Sequence, residues 1–154
     1  MDDGERITLQ LGRAPRSGTS VVARCEDGWP VVVEQPSRDP GGSPFPTTYW
    51  LTCPGLAAAI GRLESDGGVA RLEAHVATDA VLGDAFAAAR RRQIALRPEL
   101  GDLGIGGTRS PVAVKCLHAH AAFAIGAPPY SIGDAIVTSA GGVPSPCCMR
   151  ARTS

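Results

Sequence analysis

The sequence has no excess of charge of either sign, because 15 lysines and arginines balance 15 aspartates and glutamates among its 154 residues. This balance excludes the broad basic surface of proteins that bind nucleic acids or anionic membranes. The chain also lacks an uninterrupted apolar run of about 18 residues, the length that a membrane-spanning helix needs. Its most apolar stretch, residues 112–125, is broken by Lys115, His118 and His120. We therefore expect no membrane span and little affinity for nucleic acid.

A secretory signal is also missing. The first five residues are mostly acidic, whereas a signal peptide begins with basic residues followed by an apolar stretch. The five cysteines are odd in number, and a chain of this length folds without disulfide support. These features predict a cytoplasmic protein with reduced thiols.

The N-terminal half has the composition of a β-sheet. A proline- and glycine-rich loop at residues 35–46 interrupts it. Segments rich in β-branched or aromatic residues, bounded by turn-forming residues, predict four strands, at residues 6–11, 20–25, 30–34 and 47–52.

Beyond residue 54 the apolar residues follow a helical period. Ser110 and Pro111 are typical of the first residues of a helix, so we predict that the last helix begins there and ends near Gly126. The period predicts three earlier helices, at residues 56–66, 69–78 and 79–96.

Strands followed by helices in one short chain indicate an α+β fold. We predict one domain over residues 1–138, with a small, mostly antiparallel sheet in its N-terminal half, covered on one face by three to four helices. Residues 139–154 have turn composition without periodicity and are predicted to form a flexible tail in which Cys147 and Cys148 are exposed.

The first candidate site is a cysteine and histidine cluster. On a helix, Cys116 and His120 are four residues apart and share a face, whereas His118 points away. Cys53 and Cys25, both at predicted strand ends, could complete four ligands of the kind that zinc takes. The chain contains neither a CxxC nor an HxxxH pair, so ordinary buried cysteines are the alternative.

A nucleophilic thiol is a third use of the same residues. Such a thiol needs a neighbouring imidazole or a helix N-terminus to lower its pKa. Cys53 directly precedes Pro54 and a predicted helix, whereas Cys116 lies inside one. Cys53 is therefore the better candidate for a reactive thiol.

The second candidate site binds anions. Gly104, Gly106 and Gly107 precede the predicted helix that carries Lys115, and glycine-rich backbone before a helix can direct N–H groups at an anion. Arg13 would add positive charge if it folds nearby. No Gly-Lys-Ser/Thr follows, so this is no Walker A motif, and a plain flexible turn is the alternative.

Several motifs resemble a bacterial family called domain of unknown function 501. The resemblance covers about residues 8–135 and rests on LGR, SPFPTTYWLTCP, RLE, GIGG and VKCLHAH, in this order. It implies a small cytosolic protein of the kind widespread in actinobacteria, with no established activity. It also implies gene neighbours that encode enolase, a septum-formation initiator and an exopolyphosphatase, and hence a link to cell division or polyphosphate metabolism.

The resemblance carries over to Cys53, Lys115, Cys116 and His118, and so favours His118 where helical spacing favours His120. The two agree if the helix begins only after Cys116. The chain departs from the family at residues 25–28, where many members have Cys-Pro-Cys-Gly, and at residues 130–133, where many have Asn-Pro-Val-Gly. The first departure weakens a zinc site that uses the N-terminal cysteine.

Three functions remain open at the level of sequence. The leading one is a non-catalytic accessory or interaction domain with a protein partner in division or polyphosphate pathways. The second is a metal or thiol site, with zinc as the candidate cofactor. The third is an enzyme acting on phosphate esters or polyphosphate.

Overall fold

A three-stranded antiparallel sheet lies in the N-terminal half of the protein. The computed structural model describes residues 1–16, 18–45 and 47–150. The middle strand pairs with both others, so that Val33 lies opposite Val21 on one side and Trp50 on the other. The predicted antiparallel sheet is confirmed. Its strands, in spatial order, are β1 (Ser20–Arg24), β2 (Pro30–Glu34) and β3 (Tyr49–Leu51).

Helices make up most of the rest, and the α+β class is confirmed. Short 3-10 turns at Pro98–Leu100 and Ile105–Gly107 connect the fourth helix to the fifth. None of the helices in the described ranges is long and apolar enough to cross a membrane. The helices are α1 (Asp3–Leu11), α2 (Pro54–Ser65), α3 (Gly68–Thr78), α4 (Ala80–Leu96), α5 (Leu117–Gly126) and α6 (Ser131–Ser139).

The predicted first strand, at residues 6–11, is wrong, because this segment belongs to α1. The side chain of Asp2 accepts a hydrogen bond from the Glu5 backbone N–H, and the Glu5 side chain accepts one from the Asp2 N–H. This capping box satisfies two N–H groups of the first turn, and Gly12 ends the helix in a left-handed conformation. The cap outweighs the β-branched composition of the segment.

The predicted start of the last helix at Ser110 and Pro111 is also wrong. Residues 111–116 are not helical, and α5 begins at Leu117 with Cys116 as its N-cap. Lys115 has a φ of 68°, a left-handed conformation that helical residues do not adopt. The predicted end near Gly126 is correct.

Helix α5 is the centre of the hydrophobic core and packs against the sheet, α2 and α6. Phe123 on this helix is 1% exposed and meets the rings of Tyr49 and Tyr130 edge-on, with centroids 5.9 and 5.7 Å away. Within β3, Tyr49 and Leu51 are buried in this core, whereas Trp50 between them projects to the other face of the sheet, as strand alternation requires. The sheet therefore has a core face and a partly open face.

Arginines in α4 and directly after it form hydrogen bonds to neighbouring loops. Arg90 donates to the carbonyl oxygens of Asp102 and Arg109, and Arg97 donates to that of Gln35 at 2.7 Å. The guanidinium of Arg92 lies over the Phe123 ring. Arg92 also donates to the carbonyl oxygens of Ala127 and Pro129, so these arginines bind the loops before and after α5 and the loop after β2.

The chain after α6 returns to the sheet. Trp29, Cys147 and Met149 form a second small cluster of buried residues. The expectation that Cys147 is exposed is wrong, since it is 5% exposed, and Cys148 is half-buried. Pro46 of the predicted loop and residues 151–154 of the predicted tail lie outside the described residues.

Candidate functional site

Four of the five cysteines lie in two close pairs. The Sγ atoms of Cys25 and Cys147 are 3.1 Å apart, and those of Cys53 and Cys148 are 3.7 Å apart. Because Cys147 and Cys148 are neighbours in the chain, the two pairs form one thiol cluster. All five cysteines are free thiols in this structure.

Three chain segments bring the thiol cluster together. Cys25 directly follows β1, and Cys53, the N-cap of α2, lies two residues after the end of β3. Residues 140–150, which we call the C-terminal segment, supply Cys147 and Cys148. The C-terminal segment lies against the two strand ends, so the cluster closes over one end of the sheet.

Polar contacts hold the C-terminal segment beside the turn after β1. The guanidinium of Arg150 donates two hydrogen bonds to the carboxylate of Asp27, and the Ser145 hydroxyl donates to Glu26 at 3.0 Å. The bond from Arg150 lowers the pKa of Asp27. These groups are exposed, so they orient the segment more than they stabilise it.

Each thiol pair joins one buried and one half-buried cysteine. Cys53 and Cys147 are buried, whereas Cys25 and Cys148 are half-buried. Burial raises the pKa of Cys53 to about 11 and that of Cys147 to about 12. The position of Cys53 at the helix N-terminus therefore does not lower the pKa of its thiol as the sequence argument expects, because desolvation outweighs the bonds from the Gly55 and Leu56 backbone.

Cys116 lies away from the thiol cluster, at the N-terminus of α5. Together with His118 and Trp50 it lines a mostly apolar groove beside β3. Burial raises the pKa of its thiol, with the nearby Glu64 carboxylate a smaller cause in the same direction. The thiol is therefore protonated at neutral pH, which does not favour a nucleophile.

His118 is held by two oxygen acceptors. Its Nδ1 lies 3.1 Å from Glu64 Oε1, and its Nε2 lies 3.0 Å from the carbonyl oxygen of Ala57. The other carboxylate oxygen of Glu64 accepts the Leu117 N–H at 2.7 Å. Both ring nitrogens therefore face oxygen atoms of α2, to one of which the neutral ring donates, and neither nitrogen is directed at Cys116.

His120 is a core residue, 1% exposed. Its Nε2 donates to the Val114 carbonyl oxygen at 3.1 Å, since a carbonyl can only accept, and its Nδ1 accepts the Tyr130 hydroxyl at 2.8 Å. Burial lowers the pKa of His120 to about 4. The neutral ring with its proton on Nε2 satisfies both hydrogen bonds.

The glycines of the second candidate site form a 3-10 turn that does not lead into a helix. Gly104 precedes the turn, Gly106 and Gly107 lie in it, and the Lys115 ammonium donates to the Gly106 carbonyl oxygen at 2.8 Å. Arg13 lies elsewhere, in a cleft between α1 and the open face of the sheet. The structure therefore does not bring Arg13 to the glycines. Lys115 stabilises the turn through its hydrogen bond to Gly106.

The predicted zinc ligands are also separated. Cys25 and Cys53 belong to the thiol cluster, Cys116 and His118 to the groove, and His120 to the core. Within residues 1–16, 18–45 and 47–150, no three His, Cys, Asp or Glu side chains are grouped so as to hold a metal ion.

Comparison with family models places the chain. The model described as "Protein of unknown function (DUF501)" matches residues 21–138, which is most of the sequence. The chain belongs to this family. Neither the curated proteins nor the solved structures give a match.

The family match includes Cys25, Cys53 and the residues around Cys116, but it ends before Cys147 and Cys148. Sequence reasoning did not predict that these two cysteines join a cluster, since it placed them exposed in a flexible tail. Two features of the sequence pointed to these cysteines: they are adjacent in the chain, and the number of cysteines is odd. Cysteine pairing cannot be deduced from spacing alone, because it depends on where the fold brings distant segments together.

Sequence reasoning also missed Glu64, which links α2 to the start of α5. Replacing Glu64 with alanine removes the acceptor of the Leu117 N–H and of His118, so we expect the free energy of unfolding to fall by about 1.5 kcal/mol. Urea denaturation of Glu64→Ala beside Glu73→Ala, a control on α3, measures this. Equal stability of the two variants would contradict the capping role.

Proposed function

We propose that the protein is a non-catalytic accessory domain whose thiol cluster responds to redox conditions. In oxidising conditions Cys25 bonds to Cys147 and Cys53 bonds to Cys148. The observation that carries this proposal is the 3.1 Å approach of the Cys25 and Cys147 sulfurs, from positions 122 residues apart in the chain.

The reaction of each pair is thiol–disulfide exchange with a low-molecular-weight disulfide. A cysteine thiolate attacks one sulfur of that molecule and releases one small thiol, which leaves a mixed disulfide on the protein. The second cysteine then attacks the mixed disulfide and releases the other small thiol. The two cysteines are oxidised to a disulfide, the small disulfide is reduced to two thiols, and the two cysteine protons go to the released thiolates.

The burial pattern assigns a role to each cysteine. The half-buried Cys25 and Cys148 can be reached by the oxidant and make the first attack. The buried Cys53 and Cys147, which the oxidant does not reach, resolve the mixed disulfides; because burial raises their pKa, few of them are thiolates at neutral pH and this second step is the slow one. A disulfide joins sulfurs about 2.05 Å apart, so closing the first pair requires about 1 Å of movement.

The consequence for the molecule is a covalent latch. Both bonds attach the C-terminal segment to the strand ends, where Arg150 and Ser145 already hold it. Reduction releases the covalent attachment and leaves only packing and exposed polar contacts. The state of the latch thus controls how firmly the end of the sheet is covered.

A zinc ion bound by the four cysteines is the alternative to two disulfides, and the distances between the sulfurs favour the disulfides. A tetrahedral site with Zn–S bonds of about 2.3 Å has sulfurs about 3.8 Å apart along every edge. The Cys53 and Cys148 sulfurs match that edge, whereas those of Cys25 and Cys147 are closer at 3.1 Å.

The side chains that catalysis would need already have partners within the protein, which supports a non-catalytic role. The ammonium of Lys115 and both nitrogens of His118 and of His120 are occupied by protein acceptors or donors. We include in this proposal a protein partner that acts in cell division or polyphosphate pathways. Affinity capture with the oxidised and the reduced protein tests this, and recovery of no such partner in either state would count against it.

The thiol chemistry is tested by oxidation of the purified full chain with oxidised glutathione. We expect all cysteines except Cys116 to disappear from a thiol titration of the unfolded protein. Mass spectrometry without reduction should find peptides joined through Cys25 to Cys147 and Cys53 to Cys148. Cys116→Ser, the matched control, should form both bonds, whereas Cys147→Ser should lose the first and keep the second.

Two results would contradict the proposal. One is five titratable thiols after oxidation, or bonds only between molecules. The other is one equivalent of zinc in the protein as purified, with the four cysteines protected until a chelator removes the metal.

A further inference from the structure

A cleft separate from the thiol cluster lies on the open face of the sheet, between α1 and β2. It has a volume of about 270 Å³. Ile7 and Val33, each 2% exposed, form its floor, and residues 13–16 after α1 line one side. Because this volume lies just below the usual range for ligand sites, the cleft suits a small molecule.

Two aromatic side chains line the cleft. Trp50 is 39% exposed although its neighbours in β3 are buried, and Phe45, which lines the same cleft, is half-buried. An exposed indole beside a second ring offers faces on which a flat aromatic ligand can stack.

Two arginines on the wall of the cleft, Arg13 and Arg16, make no hydrogen bond or ion pair with any of the described residues. Arg24, by contrast, is paired with Asp3, and Arg97 donates to Glu34 and Gln35. Two such guanidinium groups beside an apolar cleft supply donors for bidentate hydrogen bonds to a phosphate.

We propose that this cleft binds a nucleoside monophosphate or an aromatic anion of the same size. The base stacks on Trp50 and Phe45, and the phosphate accepts hydrogen bonds from Arg13 and Arg16. The hydroxyl of Thr19, which also lines the cleft, is placed for the polar edge of the ligand.

Tryptophan fluorescence tests the proposal with AMP, GMP, CMP and UMP as probes. The chain has two tryptophans, and the other one, Trp29, is buried beneath the Arg6 guanidinium. We expect at least one nucleotide to quench the emission in a saturable manner at millimolar concentration or below. The quenching should persist in Trp29→Phe and disappear in Trp50→Phe.

The arginines are tested by Arg13→Gln and Arg16→Gln, with Arg91→Gln on α4 as the matched control. Loss of one charge-assisted hydrogen bond should weaken nucleotide binding about tenfold or more, whereas the control should bind like the wild type. Added salt should weaken binding as well, since the phosphate is held by exposed charges. Equal melting temperatures of the variants show that folding is unchanged.

Binding of the nucleotide more tightly than either inorganic phosphate or the free nucleoside would support a site that uses both the rings and the arginines. Three results would overturn it: no saturable quenching by any of the four nucleotides, equal affinity for inorganic phosphate and nucleotide, or unchanged affinity in both Arg13→Gln and Arg16→Gln.

Discussion

Acidification from pH 7 to pH 4 is expected to lower the free energy of unfolding by roughly 3 kcal/mol through His120 alone. Burial lowers the pKa of this residue from 6.5 to about 4 in the folded protein. Between these two values the unfolded chain binds the proton and the folded chain does not. His120 therefore contributes its full stability above about pH 6.5, and that contribution is lost as the pH falls towards 4.

The matching variant is His120→Gln, because a glutamine side chain keeps a donor and an acceptor but does not titrate. We expect urea denaturation between pH 7 and pH 5 to show a clear loss of stability in the wild type and a nearly flat profile in the variant. Carboxylates titrate mainly below this window, so they contribute little to the difference. Parallel profiles for the two proteins would show that His120 is not the group responsible.

Replacing Gly133 with alanine is expected to lower the free energy of unfolding by about 3 kcal/mol, the upper end for an overpacked core. This glycine lies in α6 where the helix crosses α5. An added Cβ would meet the His120 carbonyl oxygen and would come within 2.5 Å of the Ala124 Cβ. Since a backbone atom of α5 cannot move aside alone, the two helices must separate.

Gly61→Ala is the matched control for this substitution. Gly61 is also a helical glycine, in α2, but an added Cβ there meets no atom within 4 Å. Alanine should stabilise the helix at this position by about 0.5–1 kcal/mol, because it restricts the unfolded chain. Chemical denaturation measures both variants, and a similar effect at the two positions would show that the close approach of α5 and α6 does not limit Gly133.

Local sequence patterns were sufficient to predict the helices and strands that depend mainly on neighbouring residues. The helical spacing of apolar residues predicted α2, α3 and α4 to within a few residues, and the β-branched runs predicted β1 and β2. The predicted first strand failed because the same residues fit an amphipathic helix. The Asp2 and Glu5 spacing of the capping box was the signal that would have identified it.

The start of α5 could not be read locally. Ser110 and Pro111 have the composition of a helix start, but the N–H of Leu117 is satisfied by Glu64, which lies 53 residues earlier in the chain. The consequence for the candidate site is direct. Cys116 becomes a cap rather than a helical residue, so its predicted pairing with His120 on one helix face does not form.

The sequence by itself determined the class of the protein: an α+β domain with balanced charge, no membrane-spanning helix in its described part and the motifs of a family of unknown function. These properties depend on composition and on short-range periodicity. Only the tertiary structure decided which cysteines meet, which histidine is buried and which arginines lack a partner among the residues that the structure describes. Cys25 and Cys147 are brought within 3.1 Å by packing of the C-terminal segment around Trp29, and spacing along the chain carries no record of such an approach.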